Sequence, residues 1–295
     1  MANRGKLVVL VLCLTAMRAQ ARVRNPFSKS QASASAAQNV STIPFRLVHS
    51  SLVVASGSLN GVETRNLLID TGTNPTVLDV GVARMLGIEG ETGDLRTLGG
   101  GITGATGIVS SVQLGPIVAK SVPVFVADLS FMQQEFGERI DAVIGLEVLR
   151  AASFTIDYED RRIAFGPAPQ YRNWVPFADG PPMITVEVEI DGQRKRLLVD
   201  TGAEGLFLFR DHDRKHELPK TAGFRSGSHV SLTGNRQRIE LPDVRLGSWR
   251  RSKQAAYLVG TQDPSRRDFD GLLGMPALGI TEVVFDFERG RLGWR

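Results

Sequence analysis

Residues 67–73 read Leu67-Leu68-Ile69-Asp70-Thr71-Gly72-Thr73, and residues 197–203 read Leu197-Leu198-Val199-Asp200-Thr201-Gly202-Ala203. Each segment is an aliphatic run that ends in Asp-Thr-Gly, and the two aspartates are 130 residues apart. A single Asp-Thr-Gly is an ordinary exit from a strand into a turn, because all three residue types suit turns. Two matched copies instead indicate a duplicated fold that brings two carboxylates together.

The repeat extends beyond these segments. Asp-Ala-Val-Ile-Gly at 141–145 is matched by Asp-Gly-Leu-Leu-Gly at 270–274, and Phe-Thr-Ile-Asp-Tyr at 154–158 by Val-Val-Phe-Asp-Phe at 283–287. Both pairs are 129 residues apart and occur in the same order in each half. Shared order, spacing and chemistry indicate duplication of the whole unit.

Short β-strands dominate the pattern from Ile43 onward. Asn60-Gly61 and Asp191-Gly192 are hairpin dipeptides, and each precedes an Asp-Thr-Gly strand. We therefore expect each half to begin with a hairpin whose second strand carries the aspartate. Other predicted strands, several of them alternating apolar with polar residues, are 47–54, 109–114, 121–127, 183–190, 239–246 and 255–259.

The remaining segments set the predicted boundaries. Short helices are expected at 80–86 and 146–151, and Asp157 and Asp286 are expected to open turns at strand ends. Residues 167–182 contain five prolines, which disfavour helix and central strand, so they are predicted to connect the halves. The sequence therefore predicts an N-terminal lobe at 43–166 and a C-terminal lobe at 183–295.

The N-terminus has the pattern of a secretory signal. Arg4 and Lys6 precede a short apolar run, and Ala19-Gln20-Ala21 suits cleavage. Residues 1–21 are thus predicted to be a signal peptide of an exported protein, periplasmic or secreted; an uncleaved anchor is the alternative. Residues 22–42, rich in Ser, Ala and Gln, are predicted to be a linker or a short propeptide.

Charge and cysteine content exclude several classes of protein. Cleavage after residue 21 would lower the formal net charge from +4 to +1, and no basic stripe predicts nucleic-acid binding. The single cysteine, Cys13, would leave with the signal, so disulfides and thiol chemistry are not expected. His212 and His216 have zinc-compatible spacing but lack an obvious third ligand, so neither a metal nor a cofactor is expected.

Two nearby aspartates provide a way to hydrolyse peptide bonds. Like charges a few ångströms apart cannot both ionise, so one pKa falls and the other rises. The ionised member can act as general base on a water, while the protonated member polarises the scissile carbonyl. Asp70 and Asp200 are the candidates, one from each half.

The neighbouring residues are predicted to support this pair. Gly72 and Gly202 allow a sharp turn and the approach of backbone N–H groups to the carboxylates. The hydroxyls of Thr71 and Thr201 can form hydrogen bonds across the lobe interface. The next residue is Thr73 in one half and Ala203 in the other. Because a hydroxyl favours an ionised carboxylate, the aspartate beside Thr73 is predicted to be the more acidic.

These motifs together resemble the pepsin–retropepsin superfamily of aspartic peptidases. In that family, a later aliphatic-aliphatic-Gly segment threads the Asp-Thr-Gly loop, and 143–145 and 272–274 match that segment. The resemblance covers nearly all of residues 45–295. It implies an all-β, bilobal fold of two barrel-like lobes with a cleft between them, closest to a fused pair of retropepsin-like units in an exported bacterial aspartyl protease.

The resemblance also implies flaps over the cleft. Neither candidate flap carries the tyrosine of the pepsin flap, and a plain glycine-rich hairpin without substrate contact is the alternative for each. The candidate flap and substrate-binding residues are Gly100, Gly101, Ile102, Thr103 and Gly104 in the first half, and Leu232, Thr233 and Gly234 in the second.

The sequence therefore predicts an aspartic endopeptidase that acts on peptide or protein substrates as a monomer with intramolecular lobe pairing. Two alternatives remain. One is a peptide-binding module that keeps the fold without catalysis, and the other is pairing of lobes between chains.

Overall fold

The computed structural model describes residues 40–49, 51–97, 100–180, 183–210, 236–260 and 268–295. The described chain is mostly β-strand, and its strands form two duplicated lobes, so the predicted all-β, bilobal class is confirmed. The predicted signal peptide, nearly all of the predicted linker, the second candidate flap and His212 and His216 lie outside the described residues.

The N-terminal lobe contains ten strands and three short helices among its described residues. The strands are β1 (Ser41–Val48), β2 (Leu52–Leu59), β3 (Val62–Ile69), β4 (Thr76–Asp79), β5 (Glu91–Thr97), β6 (Gly100–Leu114), β7 (Ile117–Ala127), β8 (Ala142–Ile144), β9 (Phe154–Asp157) and β10 (Arg162–Phe165). The helices are α1 (Val80–Met85), α2 (Ser130–Phe136) and α3 (Leu146–Leu149).

In the C-terminal lobe one short 3₁₀ helix (Met275–Leu278) lies at the place of α3. Its described strands are β11 (Asn173–Pro176), β12 (Ala178–Gly180), β13 (Met183–Ile190), β14 (Gln193–Val199), β15 (Leu206–Phe209), β16 (Arg236–Leu246), β17 (Trp249–Val259), β18 (Gly271–Leu273), β19 (Glu282–Asp286) and β20 (Arg291–Trp294).

The strand that carries each aspartate is buried on both faces. In the N-terminal lobe β3 runs parallel to β8, which lies antiparallel to β4; in the C-terminal lobe β14, β18 and β15 repeat this arrangement. Leu67 and Ile69 pack into the large core that both lobes share, while Leu68 packs into a second cluster on the opposite face. The uninterrupted aliphatic run therefore reflects two-sided burial.

A continuous sheet joins the lobes. Strands β9 and β10 pair with each other, and β9 pairs antiparallel with β19, which pairs with β20. Phe154 of β9 and Phe285 of β19 stack across this boundary with ring centroids 4.8 Å apart. The lobes thus share backbone hydrogen bonds and an aromatic contact beneath the site.

The predicted hairpins are confirmed. Asn60-Gly61 connects β2 to β3, and Asp191-Gly192 connects β13 to β14. All four residues have positive φ, between 49° and 79°, as a two-residue turn between twisted strands requires. Each hairpin delivers its second strand to an aspartate.

The predicted strand at 47–54 is wrong. The chain reverses there, because β1 ends at Val48 and β2 begins at Leu52, with these two residues paired in register. His49 takes a positive φ of 51° in the turn. The apolar pattern hides the reversal, because the two arms of the hairpin read as one strand.

The proline-rich segment 167–182 also contains strands. β11 lies at the edge of the large sheet beside β20, and β12 pairs with β13. Pro176 is tolerated at the end of β11 because an edge strand can lose a donor. The expectation that proline disfavours helix and central strand here agrees with β11, which lies at the sheet edge.

The helical predictions hold at two places and miss a third. Helices α1 and α3 lie within the predicted ranges, but α2 was not predicted, although it buries Phe131, Met132 and Phe136. The turns at Asp157 and Asp286 are confirmed, since each side chain accepts hydrogen bonds from backbone N–H groups that follow it. Among the described residues, no helix is long and apolar enough to span a membrane.

Candidate active site

Asp70 and Asp200 follow directly after β3 and β14. The Asp70 N–H donates to the carbonyl of Ile144 at 3.1 Å, and the Asp200 N–H donates to the carbonyl of Leu273 at 3.1 Å. The aliphatic-aliphatic-Gly segments therefore hold the base of each aspartate loop. Since their registers repeat between lobes, the two loops have the same local geometry.

The two threonines join the loops across the lobe interface. The Thr71 hydroxyl donates to the carbonyl of Val199 at 2.8 Å, and the Thr201 hydroxyl donates to that of Ile69 at 2.9 Å. Each hydroxyl also accepts the backbone N–H of the other threonine, at 3.0 and 3.1 Å. Four hydrogen bonds with two-fold pseudosymmetry thus fix the distance between the aspartate loops.

The glycines place backbone N–H groups beside the carboxylates and, having no side chain, allow the loops to approach them closely. Gly72 N–H donates to Asp70 Oδ1 at 2.7 Å, and Gly202 N–H donates to Asp200 Oδ1 at 2.8 Å. A Cβ atom on Gly72 would lie 2.6 Å from Cγ of Asp200. The first loop therefore touches the carboxyl group of the second, and only glycine fits there.

The pair is asymmetric at the next residue. Thr73 Oγ1 donates to Asp70 Oδ2 at 2.7 Å, so Asp70 has donors on both oxygens. Ala203 cannot supply this bond, and Asp200 Oδ2 is buried without a hydroxyl donor among the described residues. The difference between Thr73 and Ala203 therefore makes the carboxylate of Asp70 the better stabilised of the two.

Burial and proximity decide the protonation of the pair. Both aspartates are 0 % exposed. Burial raises the pKa of the Asp70 carboxyl, while the hydrogen bonds from Thr73 and Gly72 oppose that rise. Burial raises the pKa of Asp200 well above its usual range, and the neighbouring Asp70 carboxylate raises it further. The pKa of both carboxyls is therefore raised, and the hydrogen bonds to Asp70 and the like charge beside Asp200 favour a shared proton on Asp200.

The first candidate flap lies at the start of β6, paired with β5. Ile102 packs against the cluster that contains Leu68, and Thr103 Oγ1 donates to Asp94 Oδ1 at 2.8 Å. The described contacts of Gly100–Gly104 are thus within the hairpin and the N-terminal lobe, and their role toward substrate stays a prediction. The remaining candidates, Leu232, Thr233 and Gly234, lie outside the described residues.

Two residues of the site were missed from sequence. Glu147 Oε1 accepts the backbone N–H of Thr76 at 2.7 Å, just behind the first aspartate loop. Their counterparts in the second repeat are Pro276 and Leu206. The signal that could have identified them is a polar residue in one repeat at a position where the other repeat has an apolar residue.

The two carboxyls can carry out acid–base chemistry. Among the described residues, no group of three or more His, Cys, Asp or Glu side chains is placed to hold a metal ion. An ionised Asp70 beside a protonated Asp200 can accept a proton from water and donate one to a carbonyl oxygen. This combination suits hydrolysis of an unactivated acyl bond.

Comparison with known families agrees with the duplicated site. An aspartyl protease family model matches residues 55–148 and again residues 186–277, together more than half of the chain. Each match contains one Asp-Thr-Gly and its aliphatic-aliphatic-Gly partner. No curated protein matches the chain. The chain belongs to the aspartyl protease family and carries its retropepsin-like unit twice.

Proposed function

We propose that this protein is an active, exported aspartic endopeptidase. The observation that carries the proposal is the buried pair of carboxyl groups with unequal hydrogen bonding, in which Asp70 has the Thr73 hydroxyl and Asp200 does not. A module that only bound peptides would not require two desolvated carboxyls in contact. Burying them lowers the stability of the fold, so their presence favours a catalytic role.

The mechanism begins with a water bound between the aspartates. Asp70 takes a proton from this water as its oxygen attacks the carbonyl carbon, and Asp200 gives its proton to the carbonyl oxygen. The resulting tetrahedral diol collapses when the amide nitrogen takes the proton held by Asp70 and a hydroxyl proton returns to Asp200. The C–N bond breaks, and the products are a carboxylic acid and an amine.

The substrate is a peptide or protein segment that enters the cleft between the lobes. Hydrogen bonds between the threonine loops and the continuous interlobe sheet support pairing of both aspartates within one chain, hence a monomer. Export rests on the basic, apolar and small-residue pattern of residues 1–21 and leads to the periplasm or the medium. N-terminal sequencing of the protein recovered from each cell fraction tests this part.

The test of catalysis is cleavage of a mixed peptide library from pH 3 to 7 by the wild type, Asp70→Asn and Asp200→Asn. Loss of cleavage by at least about a thousandfold in each variant is expected, because each carboxyl has a separate role in proton transfer. Folding is checked by circular dichroism. A folded wild type that binds peptides or a pepstatin-type inhibitor without cleaving at any pH would show that the protein is a binding module.

A further inference from the structure

The two aspartate loops are supported differently from behind. At three matched positions the N-terminal lobe has a polar residue where the C-terminal lobe has an apolar one. The pairs are Thr73 and Ala203, Thr76 and Leu206, and Glu147 and Pro276. The strands that carry the aspartates pair in the same register in both repeats, and these three differences lie beside one of the two aspartate loops.

The polar residues of the N-terminal lobe form a connected chain of contacts. Glu147 Oε1 accepts the Thr76 N–H at 2.7 Å, and Thr76 Oγ1 accepts the Gly145 N–H at 3.0 Å. The Leu146 N–H donates to the carbonyl of Thr73 at 2.8 Å. The loop from 73 to 76 is therefore fastened to the start of α3 at three points.

The C-terminal lobe fastens its loop with backbone groups. There the Gly274 N–H donates to the carbonyl of Gly205 at 2.9 Å, and Pro276 lies in the 3₁₀ helix at the place of Glu147. Proline has no carboxylate, so the side-chain contact that Glu147 makes has no counterpart at this position. The reinforcement is thus specific to the lobe whose aspartate has the hydroxyl donor.

We propose that Glu147 is a positioning residue for Asp70, acting through Thr76 and the 73–76 loop to hold the Thr73 hydroxyl on Asp70 Oδ2. This inference rests on the proposed function, because it concerns the residue that acts as general base. Glu147 does not touch the reacting atoms; it keeps the loop at the geometry in which the hydroxyl reaches Asp70.

The surroundings of Glu147 show that its contact is costly to keep. Its Oε2 atom is buried without a hydrogen-bond partner among the described residues, and a Cβ atom on Gly145 would lie 2.5 Å from it. Burial raises the pKa of Glu147, while the contact with Thr76 and the charge of Arg150 lower it. A buried carboxyl with a hydrogen bond to only one of its oxygens lowers the stability of the fold. Its presence here is explained if it serves another purpose.

One ionisable group acts on Asp70 and another on Glu147, and the test must separate their effects from that of the Glu147 contact. Asp200 faces Asp70 directly, and Arg150 is one turn from Glu147 at the end of α3. A change of charge at residue 147 could therefore act through space. Glu147→Gln removes the charge but keeps an oxygen that accepts the Thr76 N–H, whereas Glu147→Ala removes both.

The experiment measures the pKa of Asp70 in the full chain by carboxyl ¹³C NMR, with assignment from Asp70→Asn. Glu147→Ala is expected to raise the Asp70 pKa by about half a unit to one unit, as loss of one hydrogen bond would, while Glu147→Gln restores most of the wild-type value. Pro276→Ala, the matched change in the other lobe, is expected to leave it unchanged. Glu147→Leu, which fills a similar volume without an acceptor for the Thr76 N–H, repeats the measurement if Glu147→Ala does not fold.

The acid limb of kcat/KM is the second readout. It should move to higher pH in Glu147→Ala by the same amount as the NMR titration. An unchanged Asp70 pKa in folded Glu147→Ala or Glu147→Leu, or equal effects of Ala and Gln, would overturn the positioning role. The NMR titration does not require turnover, so a failure of the proposed function would appear separately, as a wild type without cleavage.

Discussion

Thr71 and Thr201 exchange hydrogen bonds across the lobe interface so that each hydroxyl accepts the other's N–H and donates to a carbonyl at the end of the opposite aspartate strand. Both residues are almost completely buried. Because each hydroxyl is donor and acceptor at once, its removal leaves two backbone groups of the partner loop unsatisfied in the interior.

Replacing Thr71 with valine should therefore lower the free energy of unfolding by about 2–4 kcal/mol. Thr71→Ser keeps the hydroxyl and should cost about 1 kcal/mol for its lost methyl group. Urea denaturation measures both. A double-mutant cycle with Thr201→Val should give a large coupling energy, and equal stabilities of the Val and Ser variants would contradict the role of the hydroxyl.

The difference between Thr73 and Ala203 should appear in the pH dependence of activity. Asp70 must be ionised to act as base, so activity falls as pH decreases through its pKa. Thr73→Ala removes the hydrogen bond to the carboxylate and should move the acid limb of kcat/KM up by about one unit. Thr73→Ser is the matched control, because it retains the hydroxyl; a limb that stays in place in Thr73→Ala would refute the assignment.

Because the pKa of Asp200 is raised in the folded state, the free energy of unfolding should fall as pH rises. Its folded pKa is raised above the ordinary value of 3.8, so between those two values the folded state binds more protons than the unfolded state. The free energy of unfolding then falls with increasing pH, by about 1.4 kcal/mol for each unit by which the pKa is raised. Below the ordinary value this cost disappears.

Asp200→Asn removes the free-energy cost of ionising a buried carboxyl. The variant should therefore unfold at a higher urea concentration than the wild type at pH 7. The gain should shrink toward zero near pH 3, where both aspartates are protonated in the wild type. A gain of the same size at both pH values would mean that the amide acts through packing rather than through ionisation.

Gly72 should tolerate no side chain. A Cβ atom there would overlap the buried Asp200 carboxyl, so Gly72→Ala should cost about 1–3 kcal/mol and displace that carboxyl. Gly101→Ala offers a control for stability, because Gly101 is exposed and a Cβ atom added to it would meet nothing within 4 Å. Similar unfolding midpoints for the two variants would argue against the close approach.

Much of the fold could be predicted from local pattern. The aliphatic runs before Asp70 and Asp200 are strands because they are buried on both faces, and the Asn-Gly and Asp-Gly turns suit only residues that accept positive φ. The reversal at His49 and the helix α2 were missed because they leave no break in hydrophobic period.

The sequence by itself determined the duplication, the two aspartates and their different neighbours, because covalent order and residue chemistry are explicit in it. Only the tertiary structure decided that Glu147 and Thr76 lie behind Asp70, since they are 71 residues apart in the chain and are brought together by the pairing of β8 with β3 and β4. The rise of both pKa values was also decided there, because the pKa of a carboxyl depends on burial and on the charge that folding places beside it.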